Sequence, residues 1–253
     1  MANNNSKSLG PLRSEITFTL HTKYAHYLWM GRELKRDNKG NITISSILSV
    51  PNCLGLLSQI QRDASENDPY ADDYLLQFEE KVIAYREEMQ KLVQQVVDLY
   101  MDRLPENFEI ERSANVTPVS YAIHINSQLG YQLLYLLGDY DGLARAAMIA
   151  SHLALITRGD AQEWLEEGAK LIRQCFGVVE HYKHSGITRQ DAAENNARYQ
   201  AAIQRMGYEL PPDVLSGELR AEFAPLIKNQ RNYSENNDTD VQMNVAAQPN
   251  SDK

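Results

Sequence analysis

The chain has 253 residues, of which 43% are hydrophobic and 23% are charged. This composition is typical of a globular protein, and the length allows one large domain or two modest ones. The formal net charge of −9 excludes a uniformly basic nucleic-acid-binding protein. A locally basic one is still allowed, because residues 1–40 carry a net charge of +4 and the remainder carries −13. This asymmetry indicates an anion-binding end on an acidic body.

Cysteine usage and hydropathy predict the compartment. Cys53 and Cys175 lie 122 positions apart in apolar sequence, which fits neither a disulfide framework nor a metal motif. We therefore expect a reduced, cytoplasmic protein. The first residues lack an apolar signal core, and polar residues interrupt the two uncharged stretches, 40–61 and 113–138. No membrane span and no membrane partner are expected.

Both ends of the chain are polar. Residues 1–10 are predicted to form a disordered arm, and residues 229–253, rich in Asn and Asp, a disordered tail. Between them the sequence predicts an N-terminal element at 11–66 and a helical body at 67–228.

The clearest predicted strand runs from Arg13 to His21. In this strand apolar and polar residues alternate. The apolar residues are Ile16, Phe18 and Leu20, and the polar residues are Glu15, Thr17, Thr19 and His21. A period of two with β-branched and aromatic residues favours a half-exposed strand. The next forty residues offer no obvious partner strand, so we predict antiparallel pairing with the same strand of a second chain.

A strand–helix–helix order follows. Thr22 is predicted to cap a helix over 23–34, residues 37–41 to form a turn, and a second helix to run from about Pro51 to Ala64. The predicted fold class is α+β, mainly α-helical.

A long helix is predicted over 70–104, beginning at the segment Asp68–Asp73. Its apolar residues repeat at alternating spacings of three and four, and they are Leu75, Phe78, Val82, Tyr85, Met89, Leu92, Val96 and Leu99. This heptad pattern fits a helix packed in an intramolecular bundle or a dimeric coiled coil. The sequence leaves both open.

The remainder of the chain is predicted to be mostly helical, with an irregular stretch at 105–126. Its predicted elements are short strands at 108–110 and 119–125, helices at about 127–137 and 142–157, a helix opened by a capping box at Asp160–Glu163 and reaching Tyr182, and a helix from Thr188 closed by Gly207.

A two-stranded antiparallel ribbon fits the major groove of B-DNA. On the polar face of the predicted strand, Thr17 and Thr19 could contact base edges, Arg13 could bind guanine, and Glu15 could accept a hydrogen bond from cytosine. The predicted backbone contacts are Lys7, His21, Lys23, and Ser49 and Asn52 at the second helix, whose free amides could bind phosphate. The alternative is an edge strand with a solvated polar face.

Five segments together resemble a known family. They are Gly10-Pro-Leu-Arg-Ser-Glu-Ile-Thr-Phe-Thr-Leu-His-Thr, Trp29-Met-Gly-Arg, Asp68-Pro-Tyr-Ala-Asp, Gly130-Tyr-Gln-Leu-Leu-Tyr-Leu-Leu-Gly-Asp-Tyr-Asp-Gly-Leu and Gly186-Ile-Thr-Arg-Gln-Asp. The chain is similar over residues 10–228 to the conserved proteins of integrating conjugative elements and related conjugative plasmids, especially the AcaB-type activators.

This resemblance implies a ribbon–helix–helix-like DNA-binding element on a helical body, a homodimer, and activation of conjugative-transfer genes. The implied partners are promoter or operator DNA and RNA polymerase or another activator. The sequence departs from the usual pattern in one respect, since about fourteen residues separate Arg36 from Pro51, where a short turn is usual.

No enzyme, cofactor or metal site is expected. His181 and His184 lie three residues apart beside Glu180, but a zinc site normally needs three or four ligands. His124 and His152 are isolated, and the common phosphate-loop, nucleophile-elbow and metalloprotease motifs are absent.

Two other functions remain open from the sequence. The same ribbon could serve a relaxosome accessory protein that binds a transfer origin. The chain could also be a helical scaffold of the conjugation apparatus that does not bind DNA.

Overall fold

The computed structural model describes residues 16–107 and 115–228. In these ranges the elements are β1 (Ile16–Leu20), α1 (Lys23–Met30), β2 (Lys35–Arg36), β3 (Ile42–Ile44), α2 (Val50–Ser65), α3 (Pro69–Arg103), β4 (Val119–Ile123), α4 (Gln128–His152), α5 (Arg158–Glu180), α6 (Arg189–Ala193), α7 (Ala197–Met206) and α8 (Pro212–Ser216). The chain is mainly helical with a small sheet near its N-terminus, as predicted. The arm at 1–10, the strand at 108–110 and the tail at 229–253 lie outside the described residues.

Strand β1 is paired within its own chain. It runs antiparallel to β4, with Ile16 opposite Ile123 and Leu20 opposite Val119. This corrects the prediction that β1 pairs with its copy in a second chain. The partner strand β4 begins about one hundred residues after β1 in the sequence. It therefore lies outside the forty residues after β1, which contain no obvious partner strand. Strand β1 therefore does lie in a two-stranded antiparallel ribbon, but its partner is β4 of the same chain.

The inner face of this ribbon packs on α1. The rings of Phe18 and Tyr121 stack on Trp29, with centroid distances of 5.8 and 4.0 Å. Leu20 and Ile123 are buried. The apolar residues of both strands alternate in phase, so one face of the ribbon joins the core and the other faces solvent.

Helix α3 is the centre of the bundle and packs on α2, α4 and α5 of the same chain. The predicted heptad positions are on its buried side, and Leu75, Phe78, Val82, Met89 and Val96 have no exposed surface. The structure thus favours the intramolecular bundle. A seam that is already covered by its own chain cannot also form a dimeric coiled coil.

Two helix boundaries differ from prediction near the N-terminus and at α5. Helix α1 ends at Met30, because Gly31 adopts φ = 70° and turns the chain into the β2–β3 hairpin. The capping box of α5 is formed by Thr157 with Asp160, three residues before the predicted one. Both residues of the predicted box, Asp160 and Glu163, lie inside the helix.

Two further predictions placed helix breaks incorrectly. Helix α4 is continuous where two helices were predicted, since Gly138 and Gly142 lie inside it. The predicted helix from Thr188 to Gly207 is instead two helices, because Asn195 has φ = 48° and Asn196 caps α7. Gly207 does end α7 in the left-handed conformation, as predicted.

One core cluster runs from Leu20 in β1 to Ala221 near the C-terminus, so the N-terminal element and the helical body share it. A smaller cluster surrounds Tyr70 and Tyr199. Among the helices in the described ranges, none combines the length and apolarity that a membrane crossing requires.

Candidate nucleic-acid interface

The outer face of the β1–β4 ribbon carries hydroxyl groups. Thr17 and Ser120 are exposed, and Thr19 is partly exposed. Thr19 lies opposite Ser120, and their side-chain oxygens are 2.9 Å apart and hydrogen bonded. Because a hydroxyl can donate or accept, each of these groups can also serve an external donor or acceptor.

The inner face fixes the ribbon in place. The Tyr121 hydroxyl is hydrogen bonded to Nδ1 of His26 at 2.8 Å. Burial raises the pKa of Tyr121, so its phenol stays protonated. Together with the aromatic stack on Trp29, this bond holds the hydroxyl-bearing face in one orientation.

A buried carboxylate fixes the junction between β1 and α1. Asp141, on α4, accepts hydrogen bonds from the backbone N–H of His21 and from both the N–H and the hydroxyl of Thr22, the latter two at 2.8 Å. Thr22 in turn accepts from the N–H of Ala25, which confirms it as the α1 cap. Lys23 follows and is exposed, with its ammonium 5.2 Å from the ring centroid of Tyr24.

His21 takes part in an internal network. Its Nδ1 accepts the N–H of Asn115 at 3.1 Å, and its carbonyl accepts the Asn115 side-chain amide at 2.9 Å. These bonds tie the segment before β4 to the end of β1. The first role the structure gives His21 is therefore to hold the ribbon together.

The start of α2 offers fewer amides than the sequence suggested. Ser49 is the N-cap, and its hydroxyl accepts the N–H of Asn52 at 3.2 Å. Pro51 has no N–H to offer. The Asn52 side chain is exposed, so a contact there would come from its amide group.

The start of α2 lies close to the ribbon. Leu54, in its first turns, and Ile125, just after β4, both pack on Gly130. The end of α1 and the start of α2 are also in contact, because a Cβ on Gly31 would lie 2.6 Å from the carbonyl oxygen of Ile47 and 2.7 Å from the nitrogen of Ser49. Helix α1 is therefore in contact with both the ribbon and the start of α2.

Several predicted residues are not brought together by the described structure. Lys7, Arg13 and Glu15 precede its first residue, Ile16. Nδ1 of His184, a member of the metal hypothesis set aside above, is hydrogen bonded to the carboxylate of Asp63 at 3.1 Å. The part of the chain that the structure describes holds no group of three metal-ligating side chains.

Sequence reasoning missed three features of this side of the molecule. Ser120 was not assigned to the face of Thr17, although the strand containing it was predicted. Asp141 gave no signal, because a lone carboxylate in an apolar helix does not reveal its partners. The β2–β3 hairpin was predicted only as a turn, although the β-branched run Ile42–Ile44 after Gly40 is typical of a hairpin.

Comparisons with known proteins were made on the whole chain. No curated protein matches it. The crystal structure of selenomethionine-containing AcaB from uropathogenic E. coli is similar at 18% sequence identity and a TM-score of 0.48, over 81% of this chain and 95% of that one. The family model described as "Transcriptional regulator AcaB" matches residues 8–228. Because this match spans most of the sequence, the chain belongs to the AcaB family of transcriptional regulators.

Proposed function

We propose that this regulator binds double-stranded DNA sequence-specifically, and that the β1–β4 ribbon enters the major groove with Thr17 and Thr19 towards the base edges. The observation that carries the proposal is the two-faced ribbon. Its hydroxyl face is exposed, while the rings of Phe18 and Tyr121 anchor its other face on Trp29.

An intramolecular ribbon serves this purpose without a second chain. The major groove accepts any two-stranded antiparallel ribbon, whichever chains supply its strands. Pairing within the chain adds Ser120 to the proposed base-contacting face, since it lies beside Thr19. Arg13 and Glu15 directly precede β1 in the sequence and are kept as proposed base contacts.

The proposed phosphate contacts are Lys7, Lys23 and Asn52. Lys23, three residues after β1, and Asn52, at the start of α2, are both exposed. His21 and Ser49, predicted as further phosphate contacts, are retained as secondary ones because both are already bonded within the chain.

The biological role is proposed from the family and from the resemblance described above. It is activation of conjugative-transfer genes by a homodimer, whose two ribbons would occupy two half-sites of a pseudo-palindromic operator. Activation also needs a surface for RNA polymerase or another regulator, which we assign to the acidic helical body. The proposed dimer does not need the β1 strands to supply the ribbon to each other, because β4 of the same chain pairs with one edge of β1.

The test compares specific with random DNA. Thr17→Ala and Thr19→Ala are expected to weaken binding to the operator by about 1–3 kcal/mol per lost base contact and to leave random DNA unaffected. Ser58→Ala is the matched control, because Ser58 is an exposed residue of α2 whose hydroxyl donates to the carbonyl of Leu54 in the same helix. Equal losses on both DNAs would contradict base contact by the ribbon.

A second variant tests the phosphate contacts. Lys23→Gln is expected to weaken binding to all DNA equally and to reduce the slope of log K against log salt by about one, as counterion release requires. An unchanged slope would remove Lys23 from the interface. Titration in gel shifts at several salt concentrations measures both quantities.

Two outcomes would favour the other functions. Mapping the bound sites across the mobile element separates promoters, expected for an activator, from a transfer origin, expected for a relaxosome accessory protein. Complete absence of salt-sensitive DNA affinity would favour the scaffold function instead.

A further inference from the structure

We propose that the β2–β3 hairpin is a second DNA contact, which grips the phosphate backbone beside the groove that the ribbon reads. We call residues 32–46 the basic wing. This inference rests on the proposed DNA-binding function, but it concerns a segment for which the sequence predicted the end of a helix and a turn, and no hairpin.

The basic wing carries positive charge on an exposed surface. Arg32, Lys35, Arg36 and Lys39 are all exposed. The wing also contains two acidic residues, and one of them, Asp37, faces its own turn. Its carboxylate accepts the N–H groups of Lys39 and Asn41, both at 2.8 Å, and these bonds, with the Asn41 side chain first, lower its pKa.

Two guanidinium groups in the wing are held in place by backbone carbonyls. Nη1 of Arg36 donates to the carbonyl of Gly40 at 2.9 Å, and Nε of Arg32 donates to the carbonyl of Ser45 at 3.0 Å. A guanidinium has several N–H donors, so one such bond fixes its position and leaves others for phosphate oxygens. The wing therefore presents ordered rather than freely moving donors.

The base of the wing is rigid and lies next to the ribbon. Arg32 and Ile47 exchange two backbone hydrogen bonds of 2.8 Å, which close the hairpin between Gly31 and α2. Trp29, on which the ribbon stacks, precedes Gly31 by two residues. The helix that anchors the ribbon therefore also carries the base of the wing.

Phosphate is the ligand that the wing's chemistry favours. Both of its strands are mostly exposed, so it forms an arm rather than a groove that would enclose a protein segment. A phosphate contact needs only charge and hydrogen-bond donors, which the wing supplies. An acidic protein partner is the alternative that the experiment must distinguish.

The first test removes the charge. The triple variant Lys35→Gln/Arg36→Gln/Lys39→Gln is expected to weaken operator and random DNA by the same factor, and to lower the salt slope by roughly two to three. Its matched control, Lys91→Gln/Lys170→Gln/Lys183→Gln, removes three exposed positive charges from the helical body and should change neither quantity. Circular dichroism verifies that both variants fold.

The outcomes separate the two proposals. If the unmodified protein binds no DNA, the proposed function itself fails. If it binds DNA and the wing variant keeps the affinity and salt slope of the control, the basic wing is not a DNA contact. Loss of transcription activation with unchanged DNA binding would equally overturn it and would favour an acidic protein partner.

A second test reports position and does not depend on the triple variant. Lys39→Cys is coupled to an iron chelate that cleaves nearby DNA backbone. The native thiols do not compete, because Cys53 and Cys175 are buried, and burial raises the pKa of Cys175 to about 12. Strand breaks are expected at two positions placed symmetrically about the operator centre, one for each half-site. Absence of breaks, or the same pattern from Lys91→Cys, would overturn the proposal.

Discussion

At the ribbon, the polar side chains of β1 and β4 face solvent, whereas along α3 several polar side chains are buried and fully bonded within the chain. Asp72 is the clearest example. Its side chain has no exposed surface, and it accepts from Arg189 at 2.7 Å and from Arg220 through both oxygens, at 2.9 and 2.8 Å. Thr17, in contrast, is exposed on its strand.

The buried carboxylates of α3 hold the C-terminal segment of the body. Glu79 lies seven residues after Asp72 in α3, about two helical turns on. It accepts the backbone N–H groups of Glu222 and Phe223 at 2.8 and 3.0 Å. Asp68 accepts the hydroxyl of Ser185 at 2.6 Å. These acids stabilise the fold, because each of them satisfies donors that would otherwise be buried without a partner.

The difference between the regions identifies which polar groups are free to bind something else. An acidic cluster such as that of α3 has the composition of a ligand site, yet its bonding capacity is spent inside the protein. The residue composition of the ribbon and of the basic wing is less suggestive of a ligand site, but both segments retain hydrogen-bond donors and acceptors at the surface. Exposure together with a fixed scaffold is the better criterion for a binding surface here.

The largest expected effect comes from breaking the buried cluster. Asp72→Ala leaves the guanidinium groups of Arg189 and Arg220 without their carboxylate and should lower the free energy of unfolding by about 3–5 kcal/mol. Urea denaturation measures the loss. Asp102→Ala, at an exposed position of the same helix, should stay within about 0.5 kcal/mol, and a comparable loss there would contradict the assignment.

A somewhat smaller loss of unfolding free energy is expected when Asp141, the buried carboxylate at the junction of β1 and α1, is replaced. Asp141→Ala leaves the donors of His21 and Thr22 without an acceptor and should cost about 2–4 kcal/mol of unfolding free energy. Because Asp141 sets the junction of β1 with α1, DNA affinity should fall too in protein that is still folded. Asp141→Asn, which keeps one acceptor oxygen, should show intermediate stability. If both variants matched the unmodified protein, the junction would not depend on this side chain.

Replacement of a glycine probes the base of the wing. Gly31→Ala places a Cβ 2.6 Å from the Ile47 carbonyl at a positive φ of 70° and should cost about 1–3 kcal/mol. Gly55→Ala is the control, since Gly55 lies in α2 with no atom near its added Cβ. That change should stabilise the protein by about 0.5–1 kcal/mol. Thermal unfolding distinguishes the two, and equal melting temperatures would show that the close approach is not required.

The smallest expected effect is on pH dependence. Burial raises the pKa of Asp73, and hydrogen bonds from Tyr208 and Gln77 only partly offset this. The folded state therefore holds the proton more tightly than the unfolded state, whose carboxyl has a pKa of about 3.9. Stability from this group is present at low pH and is lost as the pH rises through the raised folded pKa. Asp73→Asn should remove that decline, and Asp102→Asn should preserve it.

The elements that the sequence predicted well are those whose signals are local. The α3 heptads, the cap at Thr22 and the alternation in β1 are all read from neighbouring residues, and each is present in the structure. The partner of β1 could not be found this way, since strand pairing depends on which distant segment the helices bring close. The same limit explains Asp141, whose bonds join residues about 120 positions apart.

Of the candidate surface, the sequence predicted the hydroxyl side of β1 and the positive charge of residues 1–40. It did not predict that Ser120 lies on the hydroxyl side of β1. Nor did it predict that a hairpin exposes part of the positive charge of residues 1–40. Charge counts locate basic residues along the chain, but only the turn at Asp37 and the closure at Arg32 and Ile47 show that they project as one arm.

Among the described residues, three helices lie between β1 and β4 in the sequence, and the longest of them, α3, is the last before β4. Such a pairing has a large sequence separation, so the chain between the strands must lose the entropy of a long loop when they pair. Under the proposed function, a nascent or truncated chain that ends before Val119 would contain Thr17 and Thr19 of β1 but would lack β4, and so could not form the DNA-binding ribbon. Operator occupancy would then require a chain that extends at least through β4, and shorter fragments could not compete for the promoters.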